Sequence, residues 1–120
     1  MPDRLSGGEN ISPVEIEERL LEHSSIAGAS VVGIKDAKYG EVVGCFVRSV
    51  EGSRKLTQEE VDQWVRERLG GHKVPKYVFW IGEPGVGSDY PKTGSGKHQK
   101  HILRALGDKL AGRIDPKAKL

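Results

Sequence analysis

The chain has 120 residues, 36% of them hydrophobic and 30% charged, which is enough for one domain with its own core. Its single cysteine, Cys45, excludes a disulfide framework or a Cys-based zinc site within the chain. No apolar run approaches the ~20 residues of a membrane span, and Met1 leads into polar residues and two glycines rather than into a secretory h-region. The net charge of +2 hides an asymmetry, because residues 91–120 carry +6 and residues 1–90 carry −4. A positive end on an acidic body fits an anion site, a nucleic-acid tail or a solvated face.

Met1 to Ile11, with Gly7-Gly8, reads as a tight hairpin. Ser12, Pro13 and Glu15 form a helix start with a capping box, and the spacing predicts a stripe of Val14, Ile16, Leu20 and Leu21, with Glu17, Glu18, Arg19 and Glu22 facing water. Residues 27–35 and 41–50 are valine-rich and predict two strands joined through the loop Asp36 to Gly40. A second capping box, Thr57 to Glu60, opens a helix with Val61, Trp64, Val65 and Leu69 on one face, ending at Gly70-Gly71. Tyr77 to Ile81 predicts a third strand. Gly82 to Lys97, rich in glycine and poor in apolar residues, predicts a mobile surface loop. A third helix is expected over residues 98–106, docked by Ile102, Leu103 and Leu106. The predicted fold is α+β, a small antiparallel sheet of about three strands packed with three helices plus the short N-terminal hairpin. Residues 1–107 form the domain and 108–120 a basic flexible tail.

Two segments stand out for chemistry. Pro91-Lys92-Thr93-Gly94-Ser95-Gly96-Lys97 sets a lysine at the end of a glycine-rich stretch and just before a helix, where backbone N–H groups favour anions. It is not a P-loop. Pro91 stands where that motif needs glycine, and His98 stands where a hydroxyl would hold magnesium. The plain alternative is a flexible linker with incidental lysines. The other segment is Ser6 to Glu17, whose paired glycines leave room for a narrow ligand beside the backbone; the plain alternative is an ordinary turn before a helix. No metal site is expected within the chain.

Taken together, Gly7-Gly8-Glu9-Asn10-Ile11-Ser12-Pro13 with Glu15-Ile16-Glu17, and the lysine loop some eighty residues later, resemble the C-terminal domain of the adenylate-forming acyl-CoA synthetases. Val31 to Ile34, Asp36 to Glu41 and Lys73 to Tyr77 extend the resemblance from about Ser6 to Leu106. The resemblance implies the small mobile domain of an enzyme that joins a carboxylic acid to AMP from ATP, with magnesium held outside this chain, and then transfers the acyl group to CoA. It implies the catalytic lysine at Lys97, supported by Thr93, Gly94, Ser95 and Gly96. It implies a pantetheine channel at Gly7, Gly8 and Tyr39, and contacts to the CoA nucleotide at His72, Lys73 and Lys76. The partner it implies is a large N-terminal domain carrying the acid pocket, so the chain by itself is expected to be inactive in adenylation. Ala118-Lys119-Leu120 resembles the peroxisomal address S-K-L. The reading in a different class is a stand-alone, non-catalytic module that binds CoA, nucleotide or nucleic acid through the basic C-terminal third; nucleic acid is not the expected partner.

Overall fold

The computed structural model of the chain describes residues 4–5, 9–10 and 12–114. Gly7, Gly8, Ala118, Lys119 and Leu120 lie outside the described residues, as does the side chain of His72. Strands β1 (Arg4–Leu5) and β2 (Glu9–Asn10) pair antiparallel as the expected hairpin. Helix α1 (Pro13–Leu21), strands β3 (Ile26–Asp36) and β4 (Gly40–Ser49), helix α2 (Gln58–Leu69), a 3-10 turn (Gly71–Lys73), strand β5 (Tyr77–Trp80) and helix α3 (Lys100–Ile114) follow.

The α+β class, the three-stranded sheet and the three helices are as predicted, but the sheet is mixed. Its order is β3-β4-β5; β3 and β4 are antiparallel, whereas β4 and β5 are parallel, with Gly44 opposite Tyr77 and Val47 opposite Trp80. The reason is the connection. The chain between Ser49 and Tyr77 carries α2 across the sheet, and a helical crossover returns the next strand parallel.

The sheet is covered on both faces. On one, Val31, Val43, Cys45, Val47 and Trp80 pack with Ile16 and Leu20 of α1 and Val61 and Val65 of α2. On the other, Val32, Ile34, Phe46 and Phe79 pack with Leu103, Leu110 and Ala111 of α3 and with Tyr90. Burial on both faces accounts for the unbroken apolar run of the two long strands.

Three predictions about helices need correction. In α1, Val14 and Leu21 are exposed at 56% and 48%, while Arg19, expected in water, is buried. Arg19 lies 3.6 Å over the Trp64 ring; its Nε donates to the Trp64 carbonyl at 2.8 Å, and Trp64 Nε1 donates back to the Arg19 carbonyl at 2.7 Å. A guanidinium satisfied in this way is cheaper to bury than an unpaired one. The Ser12 side chain makes no cap bond, unlike the complete Thr57–Glu60 box. Finally, α3 begins at Lys100 and runs on through Ile114, burying Leu110 and Ala111, so ordered helix continues past the Leu106 end expected from the sequence and into the segment read as tail.

Candidate functional site

The lysine loop is a small hairpin with a built base. Thr93 N–H donates to the Lys97 carbonyl at 2.8 Å, Gly96 N–H to the Thr93 carbonyl at 2.9 Å, and Gln99 N–H to the Pro91 carbonyl at 2.7 Å. Lys92 and His98 pair antiparallel. Gly96 takes φ +86°, a conformation that side chains disfavour, which lets the turn close. The Thr93 hydroxyl accepts from Lys97 N–H at 3.2 Å and sits 3.0 Å from the Ser95 hydroxyl. Thr93, Gly94, Ser95 and Gly96 are all exposed, and so is Lys97. Among the described residues no hydrogen bond or ion pair ties down the Lys97 ammonium.

The expectation of a segment too polar to hold itself is overturned by Tyr90. Tyr90 is 6% exposed, stacks on His98 with ring centroids 4.2 Å apart, and donates its hydroxyl proton to the Phe46 carbonyl at 3.0 Å. Gly28 gives it room, because a Cβ there would stand 3.2 Å from the phenol oxygen. Burial pushes the Tyr90 hydroxyl pKa up, so it stays a donor. Burial, with Lys92 nearby, holds His98 below the ordinary imidazole range and favours its neutral ring. Asp89 joins the base to β4 through Arg48 at 2.5 Å. The helix does not begin right after Lys97 as expected. Lys97 projects from a hairpin three residues upstream of α3, so its ammonium, not a helix terminus, is the charge on offer.

The remaining candidates divide. Tyr39 is 51% exposed at the turn between β3 and β4. The buried Asp36 carboxylate accepts Tyr39 N–H at 2.8 Å and Lys38 N–H at 3.0 Å, and meets Lys76 Nζ at 3.2 Å. The Tyr39 N–H, helped by the Lys76 ammonium, holds the Asp36 carboxyl below the usual carboxylate range. The structure therefore brings Tyr39 and Lys76 together through Asp36. It takes Lys73 elsewhere, since the Lys73 ammonium pairs with Glu15 of α1. The sequence reading missed Asp36, although an aspartate just before a loop ending in glycine is an Asx-turn signal.

The two groups sit at opposite ends of the sheet. Lys100 Nζ donates to the Val31 carbonyl at 2.9 Å, and Lys35 N–H donates to Asp108 Oδ1 at 2.9 Å, so α3 runs alongside β3 in the same direction. Lys97 sits on a hairpin docked toward the end of β3 away from Asp36, where Tyr90 packs on Gly28 and Asp89 pairs with Arg48; Val31 lies at mid-strand. Asp36 is five residues further along β3, about 17 Å at strand rise. An open cleft of about 430 Å³ along α2, lined in part by His23, Glu59, Trp64 and Glu67, gathers none of the candidate residues.

Among the described residues no helix is long and apolar enough to cross a membrane, and no group of three or more His, Cys, Asp or Glu is placed to hold a metal ion. The acyl-CoA ligase sidI of Beauveria bassiana is 53% identical over 117 residues, which is 97% of this chain and 20% of that protein. Among solved structures, an acyl-CoA synthetase of Brucella canis superposes with a TM-score of 0.78 at 29% identity, over 91% of this chain and 20% of that one. The o-succinylbenzoate CoA synthetase of Bacillus subtilis, in complex with its acyl-adenylate intermediate, gives 0.71 at 31% identity, over 83% and 19%. The chain thus spans about a fifth of the length of these relatives. The AMP-binding enzyme C-terminal domain family matches residues 15–97, most of the described structure, and with the extent of the ligase similarity this shows that the chain belongs to that family.

Proposed function

We propose that the chain works as the small, reorienting domain of an ATP-dependent acyl-CoA ligase, in company with a large domain that holds ATP and the carboxylic acid. In the first half-reaction a carboxylate oxygen attacks the α-phosphorus of ATP, and the bond to pyrophosphate breaks. Both partners are anions and repel. The Lys97 ammonium, delivered between them, offsets that repulsion and gains strength as charge builds on the phosphoryl oxygens. In the second half-reaction the CoA sulfur attacks the acyl carbon and AMP leaves. The end of the sheet with Tyr39 and Lys76 then faces the reacting centre; Gly7 and Gly8, outside the described residues, keep the role of passing the pantetheine arm. Lys76 and Lys73, each paired with a carboxylate (Asp36 and Glu15), are the cations offered to CoA phosphate, and the Lys76 side chain is the more exposed of the two, 44% against 21%.

The observation that carries this reading is the exposed Lys97 ammonium, held without an ionic partner among the described residues at the tip of an anchored hairpin. A free cation on a firm base is ready for an anionic transition state. The separation of Lys97 from Tyr39 supports a rotation between half-reactions, because a single docking cannot bring both ends to one small centre.

The test joins this chain to the large domain of the Beauveria bassiana relative, in place of the corresponding fifth. Lys97→Ala is expected to lower adenylation, followed as pyrophosphate exchange, by about 10²–10³-fold. Thioester formation from a supplied acyl-adenylate should continue, and the 120-residue chain alone should give no exchange. Undiminished adenylation by Lys97→Ala overturns the reading.

A further inference from the structure

One charged cluster lies beside the lysine hairpin without belonging to it. β3 is an edge strand, and Val31 turns its N–H and carbonyl away from β4. Glu17 of α1 and Lys100 of α3 fill the place a fourth strand would take. Glu17 Oε2 accepts Val31 N–H at 2.7 Å, the Lys100 ammonium donates to the Val31 carbonyl at 2.9 Å, and the two side chains pair with each other through the same Oε2. The Glu17 side chain is only 17% exposed, and the Lys100 ammonium is the cation it meets there. Three elements thus meet at the first residue of α3.

We propose that Lys100 and Glu17 are positioning residues for Lys97, an inference that rests on the role given to Lys97 above. One arm of the hairpin is held by Tyr90 against Phe46, while the other arm passes directly into α3. Only two residues, His98 and Gln99, separate Lys97 from Lys100. With both arms fixed, the hairpin has one direction. With the Lys100 anchor gone, it pivots about His98, and a displacement of roughly 1 Å at a reacting centre is enough to cost about 100-fold in rate. Neither Lys100 nor Glu17 touches substrate in this scheme.

The experiment uses the joined protein. Lys100→Met is expected to lower the adenylation kcat by about 10–100-fold, with KM for ATP and acid within about twofold. Thioester formation from supplied acyl-adenylate should change by less than about twofold, and Lys100→Arg, which keeps both contacts, should restore adenylation. In a Lys97→Ala background Lys100→Met should cause no further loss, because its effect passes through Lys97. Equal losses in both half-reactions, or an added loss in the Lys97→Ala background, overturn the proposal. If Lys97→Ala leaves adenylation intact, the functional reading fails and takes this inference with it. If Lys97→Ala slows adenylation and Lys100→Met does not, only this inference fails. Should Lys100→Met lower the melting temperature so far that the protein does not fold, Glu17→Gln, which still accepts Val31 N–H, takes the same comparison.

Discussion

Glu60 shows how much one surface carboxylate is asked to do. It pairs with Arg54 at 2.6 Å and accepts Thr57 N–H at 2.9 Å, completing the box that starts α2. The Arg54 hydrogen bond, then the Thr57 N–H, draw its carboxyl down to about 2 from an ordinary value of 4.5. A carboxyl whose folded-state pKa is lowered stabilises the fold above its unfolded pKa, and loses that contribution as pH falls toward the folded value. The melting temperature of Glu60→Gln should therefore lie below that of the parent above pH 4.5, and the gap should close as pH approaches about 2. Added salt should narrow the gap, since the pair is exposed. The Thr57–Glu60 box was legible because both partners lie within four residues. The Arg19–Trp64 contact was not, because nothing local says that a charged residue on an apolar helix will meet an indole 45 positions away. Lys97 was legible from its glycine-rich setting, while the anchor under it, Tyr90 on Phe46, depends on a contact 44 residues apart.

At the level of elements, the closest fit is between α3 and the sheet. Ile34 fills a gap left by two glycines: a Cβ on Gly44 would stand 2.5 Å from its Cγ1, and a Cβ on Gly107 would stand 2.3 Å from its Cδ1. Glycine inside a helix ordinarily loses about 1 kcal/mol relative to alanine. Here the sign reverses, because the methyl that a Cβ would meet belongs to Ile34, which is fully buried. Gly107→Ala should destabilise the chain by about 1–3 kcal/mol in a urea titration. The same change in an Ile34→Val background, which removes Cδ1, should cost less. The existence and order of the three helices and of strands β3 to β5 were readable from composition and periodicity, and the start of α2 from its cap. Strand direction was read wrongly for β5, although a connection with room for a whole helix signals a parallel return. The length of α3 was under-read because Gly107 resembles a helix stop, when its role is to let helix and sheet approach.

For the whole molecule, the arrangement that matters is the separation between the Lys97 hairpin and the Asp36 turn. Substitutions at the two ends should sort by half-reaction. Tyr39→Ala in the joined protein should slow thioester formation from acyl-adenylate by about tenfold, the loss of one well-placed contact at roughly 1.4 kcal/mol, and leave pyrophosphate exchange within about twofold. A loss shared equally between the steps would mean that Tyr39 serves folding rather than CoA. The class of fold and the lysine loop came from local sequence; the opposition of the two ends did not, because it depends on α3 lying along β3, a register set by Lys100 and Asp108 at contacts 69 and 73 residues apart. Those two contacts have a consequence for how the protein keeps its own company. An eleven-residue outer strand is a standing invitation for another polypeptide to zip alongside it. With a carboxylate from the first helix and an ammonium and a carboxylate from the last seated on the outward peptide groups of Val31 and Lys35, that invitation is withdrawn along the middle and far part of the strand, and a second copy of the chain finds no free ladder there to join.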